Sequence, residues 1–138
     1  MKSELPDVPK IKFKPSTKVT KSKQAVKLCK SIVNQSQEFG VVISLKLSME
    51  VADIRIVSIG CFNESTLCIR DVFRGAVRDE AYGIIFVHNH PGGTICPTKT
   101  DRKFVKALKK AGKLLDVEIV DLIIVAGKKW KSFMKNAR

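Results

Sequence analysis

Two histidines, His88 and His90, stand two residues apart, and a carboxylate, Asp101, follows across a short Pro- and Gly-containing loop. In a strand, alternate residues point to one side and lie roughly 6.6 Å apart along the chain, so both imidazoles can turn toward one ion. Two neutral imidazoles and a carboxylate suit zinc, and a catalytic zinc usually takes three protein ligands. Asp101 is the best-placed third donor. Zinc lowers the pKa of its water toward about 7, and a carboxylate that is not a ligand can then take the proton and pass it to a leaving amine. Glu38, Glu50 and Glu64 are the candidates for that free acid; Glu38 precedes a strand, at the rim of a sheet.

Each of these residues also has a plainer reading. His88 and His90 can simply end a strand. Thr98-x-x-Asp101 is a capping box, in which both side chains satisfy N–H groups at a helix start, where an acid also suits the dipole. Glu38 alone is an ordinary solvated glutamate. Cys96 lies in the loop near the candidate ligands and reads as incidental; Cys29, Cys61 and Cys68 read as small core residues.

The elements that must position these residues follow from periodicity. Residues 83–90, Gly-Ile-Ile-Phe-Val-His-Asn-His, predict a buried strand that is apolar on both faces and ends in polar residues. Lys99 to Leu115 predicts a helix with Phe104, Leu108, Ala111 and Leu115 on its apolar stripe. Val117 to Ala126 predicts a returning strand, with a short edge strand over Trp130 to Met134. Upstream, Lys21 to Gln37 predicts the first helix. The run from Gly40, Ala52 to Ile59 and Ser65 to Arg70 predict an antiparallel meander, and Asp71 to Ala81 a second helix capped by Asp71.

Size and charge bound the function. At 138 residues, with 44% apolar residues, the chain fits one domain with one core. Residues 1–19, rich in Pro and Lys, are expected to form a flexible basic arm ahead of a single domain over 20–138. No apolar run approaches the roughly 20 residues of a membrane span, and the first residues lack the pattern of a secretory signal, so the expected location is the cytoplasm. A net charge of +13 favours polyanionic partners such as DNA. The charge is concentrated in the arm, in the helix over 99–115 and in the tail from Lys128. Lys103, Lys106, Lys110 and Lys113 fall on the helix side away from the apolar stripe, a candidate nucleic-acid surface.

Taken together, Glu38, then His88-Asn89-His90, seven residues, Thr98, two residues and Asp101 resemble the JAMM or MPN+ metalloprotease signature. Within that superfamily, residues 88–93 (His-Asn-His-Pro-Gly-Gly), Pro97-Thr98-x-x-Asp101, Arg70-Asp71-Val72-Phe73, Asp121-Leu122-Ile123-Ile124-Val125 and Ser132-Phe133 resemble the RadC-like proteins. The likeness runs from about residue 30 to 134. It implies an α/β fold with a mixed, largely antiparallel central sheet flanked by helices, the JAMM/MPN or cytidine deaminase-like architecture. It also implies Zn2+ on His88, His90 and Asp101, Glu38 as general acid/base, and a Thr98 hydroxyl that helps stabilise an oxyanion. The implied activity is hydrolysis of a peptide or isopeptide bond, associated with DNA repair or recombination. The alternative is a DNA-binding or DNA-processing protein whose zinc site is structural or nucleolytic. Gly92 stands where RadC-like proteins commonly have Ser, and Leu122 where they commonly have His. No counterpart of the helix-hairpin-helix segment that often precedes the RadC domain is expected; the basic arm stands in its place.

Overall fold

The computed structural model describes residues 11–60 and 68–134. In chain order these form α1 (Ser22–Leu28), a 3-10 turn (Lys30–Ile32), β1 (Phe39–Leu45), β2 (Val51–Ile59), α2 (Ile69–Arg78), β3 (Gly83–Asn89), α3 (Lys99–Leu115), β4 (Glu118–Ala126) and β5 (Lys129–Ser132). The five strands make one sheet in the order β2-β1-β3-β4-β5. β1 is antiparallel to both β2 and β3, β3 is parallel to β4, and β4 is antiparallel to β5. The expected mixed α/β architecture is therefore present. The single parallel pair arises because β3 and β4 are joined through α3, and a parallel pair needs such a crossover.

β1, β3 and β4 are buried on both faces, which is why they read as unbroken apolar runs. On one face Val41, Ile43, Val87, Ile123 and Val125 pack under α1 with Ala25, Cys29 and Ile32. On the other, Val42, Ile84, Phe86 and Leu122 pack with Val72 and Phe73 of α2 and Leu108 of α3. Burial pushes the Cys29 thiol up to about 12, so it stays protonated as a small apolar group.

Several boundaries differ from the sequence expectation. The first helix stops at Leu28 rather than Gln37: Cys29 leaves the helical backbone at φ −95° and ψ 19°, and the chain tightens into the 3-10 turn that seats Ile32 in the α1 core. α2 begins at Ile69 with Cys68 at its cap, not at Asp71. Asp71 lies inside the first turn and accepts from the Cys68 thiol (3.0 Å). Arg70, expected to end a strand, is thus helical, and residues 65–67 of that strand lie outside the described residues. Leu115 is 45% exposed; the buried stripe of α3 runs through Leu108 to Gly112 instead.

The flexible arm expected over 1–19 lies outside the described residues as far as residue 10. From Ile11 onward the segment is held to the fold. Val19 is fully buried, Ile11 and Phe13 pack against the α1 core, and the backbone pairs with the start of β2 through Val19 N–H to Met49 O (2.9 Å) and Val51 N–H to Thr17 O (2.8 Å). Among the described residues no helix is long and apolar enough to cross a membrane.

A buried carboxylate ties the α1 side together. Asp121, fully enclosed on β4, accepts hydrogen bonds from the Ser22 hydroxyl of α1, the Ser132 hydroxyl of β5 and the Leu122 N–H (2.8 Å). On the opposite face Gly112 sets how closely α3 approaches β4. A Cβ there would stand 2.7 Å from the Val117 carbonyl oxygen and 3.0 Å from Ile119. Gly112→Ala is therefore expected to lower stability by about 1–2 kcal/mol in a urea melt, although alanine is the better helix former, because overpacking against backbone outweighs propensity.

Candidate metal centre

β3 and α3 converge at the C-terminal end of β3. His88 and His90 leave this end on one side of the strand. A turn closed by Gly93 N–H to His90 O (3.0 Å) then reverses the chain, with Gly93 at φ 89°, a backbone that favours glycine. The loop delivers Thr98 to the start of α3, where the capping box forms in full. The Thr98 hydroxyl accepts from the Asp101 N–H (3.1 Å), and the Asp101 carboxylate accepts from the Thr98 N–H (2.7 Å).

The capping contact aims the carboxylate at the two imidazoles and so does not exclude a ligand role. Asp101 Oδ1 lies 3.2 Å from His88 Nε2, Asp101 Oδ2 lies 3.2 Å from His90 Nε2, and the two Nε2 atoms are 3.2 Å apart. All three residues are buried. A tetrahedral ion with ligand bonds of about 2.0–2.1 Å has edges of about 3.3–3.4 Å between donor atoms. The triangle fits such an ion, and the donor set of two imidazoles and one carboxylate matches zinc.

Neighbouring groups fix the ring orientations. His90 Nδ1 lies 2.9 Å from the Thr94 carbonyl oxygen, which can only accept, so Nδ1 is a protonated nitrogen and Nε2 is the one turned toward Asp101 and His88. Phe86 packs beside the His88 ring (centroids 5.6 Å) and on Phe104 of α3 (5.1 Å). Burial alone would raise the Asp101 carboxyl, but hydrogen bonds from His88 and the Thr98 backbone, with the nearby His88 charge, hold it down at about 2. Asp101 is thus a carboxylate over the whole physiological range.

Glu38 is not one of the three converging donors. It sits directly before β1, whose register pairs Gly40 with His88. Glu38 therefore lies two residues before the strand partner of His88, just outside the paired segment. Sequence reasoning missed the residue that holds it there. Asn89 is fully buried; its amide oxygen accepts from the Phe39 N–H (2.6 Å) and its amide nitrogen donates to the Gln37 carbonyl (3.0 Å), clamping the peptide on either side of Glu38. The available signal was an amide between two candidate ligands, whose side chain must point opposite to theirs.

The remaining expected positions are placed as follows. Cys96 is exposed and outside the converging group. Gly92 faces open space that a larger side chain would fit. Leu122 is a core residue paired with Phe86, so it takes no part in the donor set. Lys103, Lys106, Lys110 and Lys113 are exposed along α3, extending to about 18 Å from Asp101 along the helix axis. The structure does not gather them around the centre.

Three outcomes are expected. Elemental analysis should find about one divalent metal ion per chain, lost in His90→Ala and strongly reduced in Asp101→Asn, while circular dichroism keeps the α3 signal because asparagine can still cap. The depressed Asp101 carboxyl stabilises the metal-free fold above its ordinary value of 3.8. Acid titration should remove that contribution as pH falls from 3.8 toward about 2, and Asp101→Asn should lack this step. Asn89→Ala, which leaves the buried Phe39 N–H without its acceptor, should cost about 1–3 kcal/mol in a denaturant melt.

Comparison with known proteins agrees with this geometry. The family model for the RadC-like JAB domain matches residues 19–138. The chain is 38% identical over 116 residues to a UPF0758 protein of Thermotoga maritima, covering 84% of this chain and 52% of that one. It is 35% identical over 102 residues to a UPF0758 protein of Chlorobium chlorochromatii, covering 74% and 46%. The chain spans about half the length of these curated relatives. With the match running through β3, the loop and α3, where the three donors converge, the chain belongs to the RadC-like JAB domain family.

Proposed function

We propose that this chain is a zinc-dependent hydrolase that cleaves a peptide or isopeptide bond. The observation that carries the reading is the triangle of His88, His90 and Asp101 donor atoms with 3.2 Å edges. Three ligands leave room in the coordination shell for a reactant, whereas a structural zinc is usually closed by four, and among the described residues no fourth His, Cys, Asp or Glu joins the group. When bound, zinc supplies Lewis acidity, polarising a carbonyl and making water nucleophilic near neutral pH.

The protein's own groups do the rest. Glu38 takes the proton released as water attacks and returns it to the departing amine, which requires a carboxylate beside the metal that is not itself a ligand. The Thr98 hydroxyl spends a lone pair on the Asp101 N–H, so its proton remains available for the oxyanion that forms on the substrate carbonyl. Asn89 holds the Glu38 peptide in register with the histidines.

The second reading, a DNA-associated protein in which the metal is structural or nucleolytic, draws on the net charge of +13. The two separate cleanly in one variant. Glu38→Gln should retain zinc and fold while hydrolysis of a peptide or isopeptide substrate falls by about 10²–10⁴-fold, the usual contribution of a positioned acid/base. Equal turnover by this variant, with a chelated sample as the blank, would remove Glu38 from the mechanism.

A further inference from the structure

We infer that a basic groove on the α1 side of the sheet binds single-stranded nucleic acid, at a site separate from the metal centre. The segment before α1 and the helix itself enclose a cleft of about 650 Å³ whose rim carries Lys12, Lys14, Lys18 and Lys27 and whose floor includes Phe13 and Leu28. The lysines come from two separate stretches of chain and converge on one concavity. Lys109 and Lys113 of α3 also line a cleft, but Asp116 and Glu118 share that lining. Among the described residues no carboxylate lines the groove and no ion pair engages these four lysines.

A second charged cleft provides the contrast. Around Arg55, Arg74 and Arg78 the guanidinium groups are answered by Asp53, Asp71 and Asp79 at 2.8–3.7 Å, so that cleft has little positive charge to offer. The lysine groove keeps its field, and a concave site of one sign concentrates an anion.

Charge alone would fit any polyanion. Phe13 narrows the choice. It is partly buried, packed on its inner side against the α1 core, and lies on the groove lining between Lys12 and Lys14. A ring held by a core and flanked by cations suits a chain that alternates phosphates with aromatic bases, the pairing by which single strands are gripped without sequence preference. A duplex hides its bases from such a ring.

The groove and the metal centre lie on opposite faces of the sheet. α1 packs on the face of Val41, Ile43 and Val87, whereas α3, which carries Asp101, packs on the face of Val42, Ile84 and Phe86. A strand in the groove would therefore tether the protein rather than enter the metal site, and the inference stands whether or not the hydrolase reading holds.

The test is an anisotropy titration of a labelled oligothymidylate of about 12 nucleotides, with duplex DNA, inorganic polyphosphate and phosphatidylserine vesicles as comparison probes. Wild type should bind the oligothymidylate more tightly than the other probes, with a log–log salt slope of about −2 to −3 for up to four phosphates neutralised. Lys14→Glu/Lys18→Glu should weaken binding at least tenfold. Phe13→Leu, which keeps an apolar side chain on the core, should weaken it severalfold at unchanged melting temperature, while Lys106→Glu/Lys110→Glu and His90→Ala should bind like wild type. Undiminished binding by the groove variant, loss confined to the α3 variant, or tighter binding to duplex, polyphosphate or vesicles would each overturn the assignment.

Discussion

A single carboxylate sets the terms for the functional end of this molecule. Asp101 must accept the Thr98 N–H to start α3, and must also face two imidazoles at the end of β3, with 3.2 Å to each. Both demands fall on the same two oxygens, so the helix cannot begin one residue earlier or later without moving the acid off the histidines. The loop between them, the Gly93 turn and the close approach of Gly112 to β4 are the means by which the chain meets that constraint.

The sheet then divides the protein by chemistry. Along β3 the side chains alternate between the two cores, and the same alternation separates His88 and His90 from Asn89 at its end. One parity supplies donor atoms; the other supplies the amide that fixes the peptides around Glu38. A one-residue slip of β1 against β3 would change which β1 residues stand beside the imidazoles and would break the Asn89 hydrogen bonds, which places strand register among the requirements of the site.

The parts legible in the sequence were those whose signals are local. β3 and β4 announced themselves as apolar runs and α3 as a stripe with a capping box, while the His-x-His spacing pointed to one side of one strand. Long-range constraints were not legible. Nothing local stops the first helix at Leu28, since its periodic residues continue to Ile32 and Val33. The Asn89 hydrogen bonds reach about 50 residues back along the chain. The segment over 11–19 read as an arm because its apolar residues, Ile11, Phe13 and Val19, show no period, yet they join the α1 core. The stripe of α3 was misread at Leu115 because a glycine, which no apolar count would include, turned out to be the contact residue.

Asp121 makes three distant parts of the chain depend on one another. Its carboxylate is enclosed, and its hydroxyl donors come from Ser22 at the start of α1 and Ser132 at the end of β5. An enclosed polar group missing either hydrogen-bond partner is costly, so partially assembled forms, with α1 detached or β5 peeled away, are disfavoured relative to the complete fold. The feature that looks like a local clasp thus acts as a coupling device. It links the stability of the helix under the basic groove to that of the edge strand beside β4, and it favours cooperative, all-or-none assembly of a small sheet that would otherwise fray from its margins.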